Sequence, residues 1–154
     1  MKYGVSSFDE IKHLSGLDML RAMIAGDLPA APIAGPLGFR LAEVEKGRAV
    51  FEGIPGPHLL NPLGAVHGGW ALTLIDSACG CAVHTELDAG VGYTTVETKV
   101  NFTRPIDPDG GPIRCEGKVL SRGRQIATAE AFLRDAGGKL LAHGTSTLII
   151  LAPR

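Results

Sequence analysis

The stretch 67–86, HGGWALTLIDSACGCAVHTE, decides the fold. It holds no proline and its apolar run is too long for one strand, so it predicts a helix over roughly residues 68–85. Within Trp70–Val83 the only charged residue is Asp76. Burying an unpaired carboxylate is costly, so Asp76 needs either a partner, such as an arginine or a loop to cap, or a chemical task. At about 100° per residue, Gly69, Thr73, Asp76, Gly80 and His84 fall on one narrow stripe. The other faces carry Trp70, Ala71, Leu72, Leu74, Ile75, Ala78, Cys79 and Ala82. The acid therefore shares its face with small and polar groups, which suits a cleft or the close approach of a second helix. Being apolar on most sides, the helix is expected to be buried all round.

His67-Gly68-Gly69 leads directly into this helix. The unpaired N–H groups of a first helical turn carry partial positive charge, and glycine lets a ligand reach the backbone without meeting a Cβ. Such a turn can receive an oxygen that is gaining negative charge. Gly-Gly before a helix is also an ordinary turn, and this feature alone does not decide between the two.

Upstream, residues 7–26 read as one short helical segment. Ser7 and Glu10 fit a capping box, Leu17, Leu20, Met23 and Ile24 fall at helical spacing, and Gly26 ends the segment. Residues 27–37, rich in Pro, Ala and Gly, read as an extended linker. Strand patterns follow at Phe39–Val44 and Arg48–Ile54, joined by a turn at Lys46-Gly47, and then comes a proline-rich loop over 55–65. Beyond the helix, Thr94–Thr103 alternates. Val96, Thr98, Val100 and Phe102 are expected on one face, with Thr95, Glu97, Lys99 and Asn101 on the other. Further strands are expected at Ile113–Leu120, Gln125–Arg134 and Lys139–Leu151, separated by turns at 121–124 and 135–138. Two strands, one long apolar helix and four strands suggest an α+β fold, a curved antiparallel sheet wrapped around that helix. The domain division is 1–37, an N-terminal helical extension and linker, and 38–154, the sheet-and-helix domain.

Fifteen Lys and Arg against sixteen Asp and Glu leave a net charge of −1, without the basic excess a nucleic-acid surface needs. The first ten residues, MKYGVSSFDE, lack the apolar stretch of a secretory leader, and Trp70–Val83 is too short to span a bilayer. The expectation is a cytoplasmic protein with no membrane partner. Cys79, Cys81 and Cys115 form no C-x-x-C pair, which argues against a disulfide framework and a zinc site and for three packing residues in a reducing compartment.

The run Asn61-Pro-Leu-Gly-Ala-Val-His67-Gly68-Gly69 followed by Asp76 resembles the PaaI-like branch of hotdog-fold thioesterases. The resemblance extends through TTVETKVNFTRP (94–105), SRGR (121–124) and DAGGKLLAHGTST (135–147), and covers roughly residues 38–150. It implies a hotdog fold and hydrolysis of acyl-CoA without metal or other cofactor in a homo-oligomer, a dimer or a dimer of dimers. Carried over, Asp76 is the catalytic carboxylate, as general base or nucleophile. The Gly68 N–H polarises the thioester carbonyl with help from Asn61, Thr95 positions the attacking water, and His67 braces the loop. Gly69 borders the same turn. Arg104, Arg122 and Arg124 are candidates for the CoA phosphates, or else solvated surface residues. Trp70 either packs in the core or walls the acyl site.

Helix geometry adds a constraint. Gly68 and Asp76, eight residues apart, are separated by about 12 Å along the axis, too far for both to act on one carbonyl. The site is therefore expected to be shared, Gly68 from one subunit and Asp76 from another, across a two-fold axis. Two other readings remain open at this stage, a hydratase or dehydratase acting on acyl thioesters and a non-catalytic acyl-CoA-binding protein. Leu59-Leu60 ahead of Asn61-Pro62 departs from the Gly-Asp typical of hydratases.

Overall fold

A computed structural model describes residues 1–152. Six strands form one antiparallel sheet: β1 (Phe39–Glu45), β2 (Arg48–Gly53), β3 (Gly92–Phe102), β4 (Ile113–Arg122), β5 (Ile126–Arg134) and β6 (Leu140–Leu151). Their order across the sheet is β1-β2-β4-β5-β6-β3, which makes β1 and β3 the edges. The long helix α4 (Gly68–His84) lies against the sheet, touching β2, β3, β4, β5 and β6. This is the expected hotdog arrangement.

The helix lies close to the sheet because small residues face each other across the gap. Ala71, Leu74, Ile75, Ala78, Cys79, Ala82 and Val83 are fully buried. A Cβ on Gly117 of β4 would come within 2.4 Å of the Ala78 carbonyl, so β4 has room for the helix only because that position is glycine. Leu133 of β5 and Leu148 of β6 belong to the same core, each fully buried. Burial of such a side chain contributes about 1.5–3 kcal/mol.

The helix is not buried all round. Leu72 is 39% exposed, and Gly69, Thr73, Asp76 and Ser77 are half-buried. Within the Asp76 stripe, Asp76, Gly80 and His84 face the edge strand β3, where Asp76 meets Thr95 and Thr98 and the other two meet Tyr93.

The N-terminal segment departs from the expected single helix. Two helices form, α1 (Phe8–Ile11) and α2 (Gly16–Ala25). The capping box at Ser7 and Glu10 is present, but Ser15 opens a second helix by accepting from the Asp18 N–H at 3.2 Å. Gly26 ends α2 in the left-handed conformation, φ 87°. The segment 27–37 is not wholly extended, since Ala34–Leu37 forms the short helix α3. Among the described residues no helix is long and apolar enough to cross a membrane.

Outside the core, β1, β2 and β4 carry an ion-pair network. Arg48 meets Glu43, Glu45 and Glu116, while Arg114 meets Glu43 and Glu52. These pairs link three adjacent strands across the outer face.

Candidate active site

The expected alternation of β3 breaks at one point, and that break builds the site. Thr95 pairs with Leu148 and Glu97 with Thr147, so Val96 is an extra residue, a bulge. Thr95 and Thr98, expected on opposite faces, therefore lie on the same face, towards α4. Val96, expected beside Thr98, is instead 55% exposed. Thr95 Oγ1 donates to Asp76 Oδ1 at 3.0 Å, and Thr98 Oγ1 donates to the same oxygen at 3.1 Å.

Behind Thr98 stands Ser146, a buried polar side chain. Its Oγ lies 3.0 Å from Thr98 Oγ1 and 3.0 Å from the Glu97 carbonyl. Each hydroxyl has one proton. With the Thr98 proton committed to Asp76, the Ser146 proton goes to Thr98 or to the Glu97 carbonyl. Thr98 and Ser146 were not found from the sequence. Two threonines three residues apart on a strand point opposite ways unless a bulge intervenes, and no residue around Val96 announces one.

Asp76 forms no ion pair among the described residues, and its Oδ2 has no hydrogen-bond partner among them. The carboxylate lines a pocket of about 250 Å³ together with Thr95, Ser77, Cys81 and Tyr93. Burial first, and then the Asp76 charge, push the Cys81 thiol up to about 12, so it stays protonated at neutral pH. Tyr93 is pushed well above its ordinary value, chiefly by burial.

The first turn of α4 forms the second part. His67 Nδ1 accepts from the Gly69 N–H at 2.9 Å, so in this arrangement the ring proton of a neutral His67 is on Nε2. The Gly69 N–H is therefore occupied, whereas that of Gly68 has no partner among the described residues. Gly68 lines a separate open cleft of about 350 Å³ with Phe102 and Arg104. Asn61 Oδ1 accepts from the Leu63 and Ala65 N–H groups at 2.9 and 3.1 Å, which fixes the loop ahead of His67. Its carbonyl oxygen is thus engaged in holding that loop.

The remaining expected residues separate. Trp70 is placed in the core instead of the acyl site. It is 3% exposed, its Nε1–H donates to the Leu37 carbonyl at 2.8 Å, and it lines neither the Asp76 pocket nor the Gly68 cleft. Arg104 borders the Gly68 cleft and donates to the Leu140 carbonyl. Arg122 and Arg124 lie at the β4–β5 turn, where Arg122 donates to the Gly123 carbonyl, and neither borders the pocket or the cleft. Among the described residues no three His, Cys, Asp or Glu side chains converge as metal ligands.

A family model of the thioesterase superfamily matches residues 63–142, just over half of the chain and the stretch that carries α4, β3, β4, β5 and the start of β6. The chain belongs to this superfamily. It is similar to a Saccharolobus solfataricus protein assigned by name alone to the esterases, with 39% identity over 75% of this chain and 80% of the relative. Among solved structures it resembles a phenylacetic acid degradation-related protein of Ralstonia eutropha JMP134. There the TM-score is 0.76 and the identity 27%, covering 84% of this chain and 98% of that one. A Streptococcus mutans protein described as bound to acetyl-CoA shares the fold at TM-score 0.68 and 21% identity, covering 76% of this chain and 91% of that one.

Proposed function

We propose that the chain hydrolyses acyl-CoA thioesters, with Asp76 as the catalytic carboxylate and the Gly68 N–H of a second copy polarising the carbonyl. One observation carries this reading. Asp76 is held through Oδ1 by two hydroxyl donors, and among the described residues no cation pairs with it and Oδ2, at the edge of a pocket, is unengaged. An acid that serves only to hold the fold is usually paired with a cation when it is removed from water, and Asp76 is held by neutral hydroxyls instead.

The need for a second copy follows from the separation of Asp76 and Gly68 into two different cavities of one chain. The sheet supplies a surface for it. β3 is an edge strand of eleven residues, with Val96 and Phe102 each 55% exposed along it. An unpaired edge of that length is a template for another strand. Two-fold pairing along β3 sets two α4 helices side by side and antiparallel, Asp76 of each opposite Gly68 of the other.

In the proposed reaction the Gly68 N–H, at the positive end of α4, stabilises the oxyanion that forms on the thioester carbonyl. Oδ2 of Asp76 either removes a proton from water as the water attacks or attacks the carbonyl itself to give an anhydride. In the first route the carbon–sulfur bond breaks as the acid forms, and the proton that Asp76 took from water passes to the departing sulfur. In the second the bond breaks as the anhydride forms, the thiolate takes its proton from solvent, and water then cleaves the anhydride to release the carboxylic acid and restore Asp76. One turnover in ¹⁸O-water that places the label in the Asp76 carboxylate establishes the anhydride route, since water that opens the anhydride at the Asp76 carbonyl leaves its oxygen there and the general-base route never does.

The Streptococcus mutans neighbour supports a CoA thioester as the substrate class, since that protein holds acetyl-CoA on the same fold. A hydratase needs a histidine paired with the acid, and His67 instead caps the helix through Gly69. The test is release of free thiol from a panel of acyl-CoAs. Asp76→Asn is expected to lower kcat by about 10²–10⁴-fold with KM nearly unchanged. An unchanged kcat removes Asp76 from the chemistry.

A further inference from the structure

The matched family stretch begins at residue 63, yet the Asp76 pocket is closed by residues far upstream of it. Met23 and Ile24 of α2, together with Ala31 and Ile33, line the same pocket as Asp76 and Thr95. We propose that this N-terminal segment is the acyl-binding wall, and that it selects a compact apolar acyl group, either a single aromatic ring or a medium-length chain. The inference rests on the reading of Asp76 as the catalytic carboxylate.

Three observations support it. First, the segment is anchored at several points. The Gly16 N–H donates to the Leu87 carbonyl at 3.0 Å, and a Cβ on Gly16 would lie 1.8 Å from the His84 carbonyl oxygen, so α2 rests directly on the end of α4. The Trp70 indole holds Leu37, and the Gly4 N–H donates to the Ala30 carbonyl at 3.0 Å. The wall is therefore pre-formed, as small-molecule pockets usually are.

Second, the wall is apolar and not fully covered. Ile24 is 41% and Ile33 51% exposed. Arg40, on the pocket rim, is paired with Glu52. Third, the size fits. A dry cavity of about 150 Å³ holds benzene, and this pocket measures about 250 Å³. There is room for a ring or a medium chain, but not for a long-chain acyl group in full.

The test measures binding, so it does not depend on turnover. S-methyl-CoA and S-octyl-CoA, thioethers that cannot be hydrolysed, are titrated calorimetrically into the full chain. The wild-type protein is expected to bind the octyl analogue more tightly. Ala31→Phe, at an exposed position where the larger side chain does not threaten folding, is expected to reduce that preference about tenfold. Met23→Ala, which removes contact instead of adding bulk, is expected to reduce it in the same direction. A preference that neither variant alters overturns the acyl-wall assignment, as does a wild-type protein that binds both analogues equally. Octyl-selective binding without thiol release from octanoyl-CoA instead refutes hydrolysis and leaves the acyl wall standing.

Discussion

Thr98 Oγ1 donates to Asp76 Oδ1 at 3.1 Å, from a strand position whose alternation points it away from Thr95. The bulge at Val96 brings both threonines to one carboxylate oxygen. The arrangement fixes the rotamer of Asp76 and aims Oδ2 without neutralising the charge. In the proposed reaction each threonine acts through the acid, as a positioning residue.

Removing either hydroxyl should therefore loosen the carboxylate without removing it. Thr98→Val keeps the side-chain shape and is expected to lower kcat about tenfold, with KM within about twofold, since one hydrogen bond to a charged group contributes about 1.5–3 kcal/mol. Ser146→Ala, one step further back, should have a smaller effect of the same kind. Steady-state kinetics on one acyl-CoA checks both. A change confined to KM contradicts a positioning role.

If Asp76 and Gly68 act across a subunit interface, defective chains can complement each other. Asp76→Asn and Gly68→Ala homodimers should each be nearly inactive. Unfolding and refolding the two together gives mixed dimers with one intact site, and an equal mixture recovers about a quarter of wild-type activity. No recovery, with mixed dimers confirmed by differential tagging, places the site within one chain.

Gly68→Ala is informative by itself. The added Cβ meets the Phe102 ring at 3.0 Å, which the ring can relieve by rotating, so the chain should fold. The methyl group nevertheless stands beside the Gly68 amide, which has no partner among the described residues. Loss of an oxyanion donor typically costs about 10²–10³ in kcat, and a melting temperature close to that of the wild type distinguishes this loss from misfolding.

Thiol chemistry should be silent in the folded state. Burial pushes Cys79 and Cys81 up to about 12 and Cys115 well above its ordinary value. Since the thiolate is the reactive form, Ellman's reagent at pH 8 should label the native protein far more slowly than a free thiol. All three cysteines should react once the chain is denatured. Rapid labelling of the native protein contradicts the packing seen around α4.

His84 predicts an acid limb of stability. Burial lowers its affinity for a proton below the ordinary value of 6.5, and its Nδ1 is buried without a partner. The unfolded chain therefore binds the proton more readily than the folded one. The stabilisation is complete above about pH 6.5 and is lost as pH falls through the lower, folded-state value. Thermal melts between pH 7.5 and 5 should show this decline, and His84→Phe should flatten it. An equal decline in both proteins assigns the acid limb to other groups, such as the ion-paired Glu43 and Glu116.

The order of elements was legible in the sequence because it depends on local signals. A proline-free apolar run made α4, capping residues began α1 and ended α2, and alternation marked the strands. Asp76 stood out as the one charge in an apolar helix, and His67-Gly68-Gly69 as a first turn with an exposed amide. These features depend on residue type and on periods of two or about 3.6 residues, which the chain carries within a short window.

Only the tertiary structure decided which groups face Asp76 and what closes its pocket. The bulge at Val96 is set by pairing with β6, a strand some fifty residues away, so it left no local mark, and Thr98 and Ser146 stayed hidden with it. Trp70 became a core residue because its indole found the Leu37 carbonyl, and the N-terminal segment became a pocket wall because Gly16 fits against His84. Each depends on two parts of the chain meeting at atomic distance. A residue's own neighbours in sequence do not fix such contacts, because they form only when the whole sheet closes on its helix.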